Sequence, residues 1–328
     1  MSIRKFTPWL WLFVLMSCTK NNDNNKNANQ VQPTLFQLID QTPELSLYRS
    51  ALKRAGLYAD TTFSNNSPLT VFAPVDAAWL AAGLTADKIQ AYDTQALAAI
   101  LRFYMVIGRL GSASLVGFYS EDVRSRDTIR PTLVKNYYGI FFNGAPMVKP
   151  DIEAGDGVLQ EMGQVVMPPS MNLLGLVSSQ PDLRCMAIAL RQIGYDPYLT
   201  VLPDPNLNLN RDYSSGYTLI APTDSAFVQF GFPDTNAVAQ ADVSLLKSFL
   251  VNYLYGDKHY TCDYLGGVPS PDPGGGQFPQ GASYAFLEIG PDGLTFNTTG
   301  NIIPPRIIRP NLSATNGVLH VVNQVIEP

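Results

Sequence analysis

The chain has 328 residues, 46% of them hydrophobic and 15% charged, with a formal net charge of −5. Such a composition belongs to a chain that folds, and the length suits about two domains. The mildly acidic balance, with no block of basic residues, gives nucleic acid no electrostatic footing, so no nucleic-acid partner is expected.

In chain order, Arg4 and Lys5 precede an apolar run, Phe6 to Met16, broken only by Thr7 and Pro8. It is too short to span a membrane, which takes about 20 apolar residues. It ends in Leu15-Met16-Ser17-Cys18, which resembles a bacterial lipoprotein cleavage box. The resemblance implies a signal peptide over residues 1–17 and a diacylglycerol on Cys18. Residues 18–32, rich in Asn, Lys and Gln, bury too little to fold and read as a flexible tether. Attachment to a membrane through the N-terminal lipid is therefore expected. The lack of an Asp after Cys18 favours the outer membrane or cell surface.

The rest of the chain is a repeat. Thr34-Leu-Phe-Gln-Leu-Ile with Pro43 downstream matches Asn172-Leu-Leu-Gly-Leu-Val with Pro181 downstream. Each predicts a short helix, a turn at proline and an apolar-periodic helix (Leu45 to Ala55; Leu183 to Ile193) closed by Gly56 or Gly194. Residues 69–79, LTVFAPVDAAW, match 217–227, YTLIAPTDSAF. Here a hydrophobic strand runs into Ala-Pro, and Asp76 or Asp224 is placed to cap the helix that follows. Helices are next expected over Leu97–Val106 and Leu245–Tyr255. Last, Lys149-Pro-Asp-Ile-Glu-Ala-Gly-Asp-Gly-Val-Leu-Gln matches Arg309-Pro-Asn-Leu-Ser-Ala-Thr-Asn-Gly-Val-Leu-His. The Asp156-Gly157 and Asn316-Gly317 pairs signal turns between strands. The spacing between matching blocks widens along the chain, so the second copy carries insertions, and Pro168 and Pro169 mark the join.

These blocks, recurring in the same order, resemble the fasciclin-like domain, an extracellular adhesion module, with copies over 33–168 and 169–328. Helices lead each copy and strands close it, which is α+β. The resemblance implies a twisted β-sandwich or wedge with a layer of helices, two in tandem, and a non-catalytic role in adhesion or surface binding. Two departures stand out. The Tyr-His pair linked to receptor contact in animal members reads Tyr104-Met105 and Tyr253-Leu254 here, so that role is not carried over. Gln160 stands where the second copy has His320, and Glu161, Met162 and Gly163 make a less regular final strand expected in the first copy.

Chemistry is sparse. The only histidines are His259 and His320. His320, inside an apolar strand, reads as structural. His259 lies near Cys262 and Asp263 in no metal-ligand spacing. There is no nucleophile elbow and no phosphate loop. No catalytic residue, metal or cofactor is therefore expected. Cys185 reads as part of a buried helix face and Cys262 as the start of a loop, which favours two separate thiols while leaving a bridge open. Aromatic residues in the expected loops, Phe118, Tyr119, Tyr264, Phe278 and Tyr284, are the candidate binding rim. The expected partner is an extracellular protein, matrix or glycan. The protein-adhesion reading stands first, and a carbohydrate-binding accessory lipoprotein of an outer-membrane uptake system is the alternative.

Overall fold

The computed structural model describes residues 32–63, 67–115, 119–201, 216–250, 253–256, 258–265 and 288–327. Cys18, Phe118, Phe278 and Tyr284 lie outside them, as does the long Gly- and Pro-rich stretch of the second half.

The first repeat opens with helices whose starts are written locally. The Thr34 hydroxyl oxygen accepts the Gln37 N–H at 3.3 Å while the Gln37 amide oxygen accepts the Thr34 N–H at 3.0 Å. This capping box starts α1 (Leu35–Gln41), which buries Leu35 and Ile39. Pro43 opens a 3-10 turn, and α2 (Ser46–Arg54) buries Tyr48, Ala51 and Leu52 on one face. Gly56 closes it at φ +70°. After α3 (Asp60–Phe63), β1 (Leu69–Pro74) is buried along its whole length. Then come α4 (Asp76–Ala81), α5 (Ala86–Ala91) and α6 (Thr94–Phe103).

The expected helix over 97–106 stops at Phe103. Met105–Ile107 is instead β2, antiparallel to β1. Met105 and Val106 are buried, as either a helix or a strand would require, so apolar spacing does not separate the two. The open edge of β1 supplies the hydrogen bonds that decide it. Strands β3 (Tyr119–Asp122), β4 (Thr132–Asn136), β5 (Gly139–Phe142), β6 (Ala145–Ala154) and β7 (Gly157–Met162) complete this half. Among the described residues they form a seven-stranded sheet in the order β2-β1-β7-β6-β5-β4-β3. The β1–β7 pair is parallel, and the others are antiparallel. Contrary to expectation, β7 is regular: all six residues are buried and all pair with β1, from Leu69–Gly157 to Pro74–Met162. Glu161 takes its place in the ladder beside Lys149, 3.4 Å away.

The second half repeats the plan with α7 (Leu173–Ser179), α8 (Arg184–Gln192), α9 (Asp196–Thr200), β8 (Tyr217–Pro222), α10 (Asp224–Phe230), α11 (Thr235–Ala239), α12 (Val243–Leu250) and β9 (Leu254–Gly256). As in the first half, the residues expected to extend a helix to Tyr255 include a strand, β9. A 3-10 turn (Thr261–Tyr264) and the short pair β10 (Glu288–Ile289) and β11 (Phe296–Asn297) precede β12 (Ile307–Ala314) and β13 (Gly317–Val322). The sheet order is β12-β13-β8-β9, again with a parallel central pair, from Tyr217–Gly317 to Pro222–Val322. Each half thus packs a helical layer on a mixed sheet around its own core, which is the α+β architecture expected. Cys185 and Cys262 are both buried free thiols.

The glycines of the last block serve another purpose than the one expected. The turns are Gly155-Asp156 and Thr315-Asn316, and Gly157 and Gly317 are the first residues of β7 and β13. A Cβ on Gly157 would lie 2.0 Å from the Leu69 carbonyl oxygen and 2.6 Å from the Leu35 side chain. On Gly317 it would lie 2.2 Å from the Tyr217 carbonyl oxygen and 2.6 Å from Leu173. Close approach, not turn conformation, requires them. Gly157→Ala is expected to cost about 3 kcal/mol in urea unfolding. Gly56→Ala, at a position with open space but positive φ, should cost about 1 kcal/mol.

Candidate binding site

The Asp of the repeated motif is a helix cap, but not of the helix expected. In α4 the N-cap is Val75, with no side-chain bond, and in α10 it is Thr223, whose hydroxyl oxygen accepts the Ala226 N–H at 3.2 Å. Asp76 turns the other way. Its carboxylate accepts the Leu47 N–H at 2.8 Å and the Ser46 hydroxyl at 2.5 Å. Asp224 likewise accepts the Cys185 N–H at 2.8 Å and Arg184 Nε at 3.3 Å. Each carboxylate therefore sits at the positive end of α2 or α8, whose own N-cap residue, Leu45 or Leu183, has no side-chain acceptor. Both oxygens of each carboxylate are thus occupied within the fold.

The last block supplies four more side-chain clamps on backbone N–H groups. Asp156 accepts the Leu35 N–H at 2.7 Å, and Asn316 accepts the Leu173 N–H at 2.8 Å, completing the starts of α1 and α7. Asp151 and Asn311 sit at φ +61° and +60°, where an Asx residue is tolerated. Asp151 accepts the Ser112 N–H at 2.8 Å and the Ser112 hydroxyl. Asn311 accepts the Thr261 N–H and donates to the Thr261 hydroxyl, both at 2.9 Å.

Gln160 and His320 occupy equivalent places. Gln160 accepts the Asp151 N–H at 2.9 Å and donates to the Leu110 carbonyl at 3.1 Å. His320 Nδ1 accepts the Asn311 N–H at 3.2 Å, and Nε2 lies 2.8 Å from the His259 carbonyl, to which it donates. The neutral tautomer with a proton on Nε2 satisfies both. Burial pulls the His320 pKa down to about 4. Tyr104 and Tyr253 are buried too. Their hydroxyls take both backbone groups of Val166 (2.9 and 2.7 Å) and of Ile326 (2.5 and 3.3 Å), pinning the tail of each half.

Of the sequence-predicted rim, Tyr119 is placed by its backbone in β3, opposite Lys135. Tyr264 is a correction. It is 7% exposed and packs in the second core, its ring 6.4 Å from that of His320, because the 3-10 turn folds it back under the sheet. What lies exposed instead is Tyr137 and Tyr138 at the tip of the β4–β5 hairpin, 88% and 59% accessible. Their signal, two aromatics before a glycine between alternating strands, was present in the sequence. Asn136 shapes this tip: its amide oxygen accepts the Tyr138 N–H at 2.8 Å.

The same Asn136 donates to the Cys262 carbonyl at 2.7 Å, tying the hairpin to the second half. Val134 and Phe141 meet Tyr260, Cys262 and Val318 in a small core of their own. The Tyr260 hydroxyl bonds Thr132 from one half and Ser313 from the other. Asn143 donates to Ser313 at 3.2 Å. Lys258, 8% exposed, pairs with Asp122 at 2.6 Å. Beside this contact the segment joining the repeats lines a cleft of about 630 Å³. Phe141, Met167, Met171 and Leu312 give it apolar walls, and Asn143 and Asp292 polar points. Partial burial opposes ionisation of Asp292, but bonds from Leu294, Thr295 and Arg306 outweigh it and hold its carboxyl down at about 2.

A model of the Fasciclin domain matches twice, at residues 43–168 and 194–328. Protein sll1483 of Synechocystis sp. is 27% identical over 138 residues, 42% of this chain and 74% of that protein. Among solved structures, the FAS1 domain pair from the insect cell adhesion molecule Fasciclin I aligns at 16% identity and a TM-score of 0.37, covering 86% of this chain and 96% of that one.

Asp76→Ala and Asp224→Ala are each expected to lower stability by about 1–2 kcal/mol in denaturant titration. His320 gives a pH test. Its folded pKa lies below the unfolded value, so the unfolded chain binds the proton first, and stability falls as pH drops from about 6.5 towards 4. Relative to His320→Gln, which installs the first half's solution, the native chain should lose up to about 3 kcal/mol across that window.

Proposed function

The chain belongs to the fasciclin domain family, and from that premise we propose that it is a non-catalytic binding lipoprotein of the cell surface, held by a lipid on Cys18 and used for adhesion to an extracellular protein or matrix. The observation that carries the reading is the junction of the repeats. A cleft of about 630 Å³ is of ligand-binding size. It lies beside the turn to which Asn136 ties the hairpin bearing the exposed Tyr137–Tyr138 pair. Exposed tyrosines add contact area with little rotamer entropy to lose. The carboxylates and histidine of the repeated motifs are engaged in holding the fold, which supports binding over catalysis. No described helix is long and apolar enough to cross a membrane, and residues 1–17 and the box ending at Cys18 support a lipid anchor.

A second reading, a glycan as the ligand in an outer-membrane uptake system, is favoured by the same tyrosine pair, since adjacent exposed rings bearing hydroxyls suit stacking and hydrogen bonding to sugars. Glycan and matrix-protein arrays probed with residues 33–328 separate the two. Retention on matrix proteins, weakened at least about tenfold by the double change Tyr137→Ala and Tyr138→Ala, is the expected result. Retention only on glycans supports the second reading, and hydrolysis of an arrayed substrate would overturn both. Cys18→Ala should move the protein from the membrane to the soluble fraction on cell fractionation. An unchanged distribution would end the lipoprotein reading.

A further inference from the structure

The two halves differ at one place where their backbones agree. Leu57 and Tyr195 each follow the glycine that closes a helix, and each donates its N–H to the carbonyl five residues back, Leu52 or Leu190. Leu69 and Tyr217 each open the central strand, paired with Gly157 or Gly317. In the second half Tyr198 fills the space between them, its ring 6.0 Å from Tyr195 and 6.4 Å from Tyr217, edge-on to both. In the first half that space is a cleft of about 350 Å³, walled by Leu57, Leu69, Met105 and Ile107.

Two guanidiniums line this cleft, Arg102 from α6 and Arg126 from the segment bridged to β2, and none of its lining residues is acidic. In a chain of net charge −5 that is a local reversal of sign. Arg102 is exposed and makes no side-chain hydrogen bond or ion pair among the described residues. Arg126 is half-buried, spends one donor on the Thr62 carbonyl, and has its pKa lowered by burial. Partial desolvation of the Arg126 guanidinium disfavours its charge, and a bound anion would offset that. Guanidinium donors match a carboxylate in shape and number, and four aliphatic walls at the low end of ligand-pocket volume suit a short apolar body.

We propose that the cleft of the first repeat binds a small apolar monocarboxylate, its carboxylate held by Arg102 and Arg126 and its hydrocarbon part lying between Leu57, Leu69, Met105 and Ile107. The site is separate from the cleft at the junction of the repeats, so it stands whether or not that cleft is an adhesion surface.

The test titrates sodium octanoate into the purified, soluble Cys18→Ala full chain in detergent-free buffer by isothermal calorimetry, with 1-octanol and inorganic phosphate as controls that lack the charge or the chain. Saturable octanoate binding is expected, with both controls at least about tenfold weaker. Arg102→Gln removes an exposed side chain and should weaken octanoate about tenfold. Leu57→Tyr puts a larger wall residue, the one the second half carries at that place, into the cleft and should weaken octanoate at least about tenfold, with the melting curve retained. Absence of saturable binding up to about 5 mM, octanol binding as tightly as octanoate, or unchanged octanoate affinity in either folded variant would overturn the proposal.

Discussion

Each repeat is held by the parallel pairing of its first strand with its last, β1 with β7 and β8 with β13. This contact joins residues from opposite ends of the domain, and everything else is placed by it. It carries the Ala-Pro-x-Asp stretch to the start of α2 or α8, and it carries the β6–β7 or β12–β13 turn to the start of α1 or α7. Closing so long a loop costs entropy that grows only slowly with length. A fully buried ladder and two charged or amide caps on otherwise uncapped N–H groups offset it. Gly157 and Gly317 are the condition for this pairing, since any side chain there would strike the neighbouring strand's carbonyl.

Within the same framework the motif residues hold backbone in place. Asp76, Asp224, Asp151, Asn311, Asp156, Asn316, Gln160 and His320 bond backbone or neighbouring polar groups, and Tyr104 and Tyr253 pin the tails. What recurs in both halves maintains the fold. Among the described residues, the parts that differ between the halves are the β3–β5 extension of the first, the 258–265 segment of the second, and the stretch between them. These meet at one junction, where the outer face of β4 and β5, apolar at Val134 and Phe141, is covered by Tyr260 and Cys262. The buried Lys258–Asp122 pair fixes how the two fit more than it stabilises them, because desolvation offsets much of its attraction.

Much of this was legible in the residues alone, and the legible part has a common cause. The duplication, the capping signals at Thr34 and Asn172, the closing glycines at 56 and 194, the buried histidine in an apolar strand and the α+β class all depend on neighbours within a few positions, or on order along the chain. Family membership followed from the same order. The sequence also contained the Tyr137–Tyr138 tip, but aromatics in loops look alike until burial separates them. Tyr264 is folded under the sheet by a 3-10 turn, while Tyr137 stands in solvent.

Only the tertiary structure decided which partner each group meets. Asp76 one residue past Val75 reads locally as a cap for α4, yet the parallel pairing brings α2 within its reach and leaves α4 with no side-chain cap. Met105 and Val106 read as the end of a helix until the exposed edge of β1 offers strand bonds. Gly157 reads as a turn residue until Leu69 is laid against it. Local propensity by itself determined what elements form and roughly where. Long-range hydrogen bonds and close approach, which no window of sequence contains, determined where they stop and which charge sits on which helix.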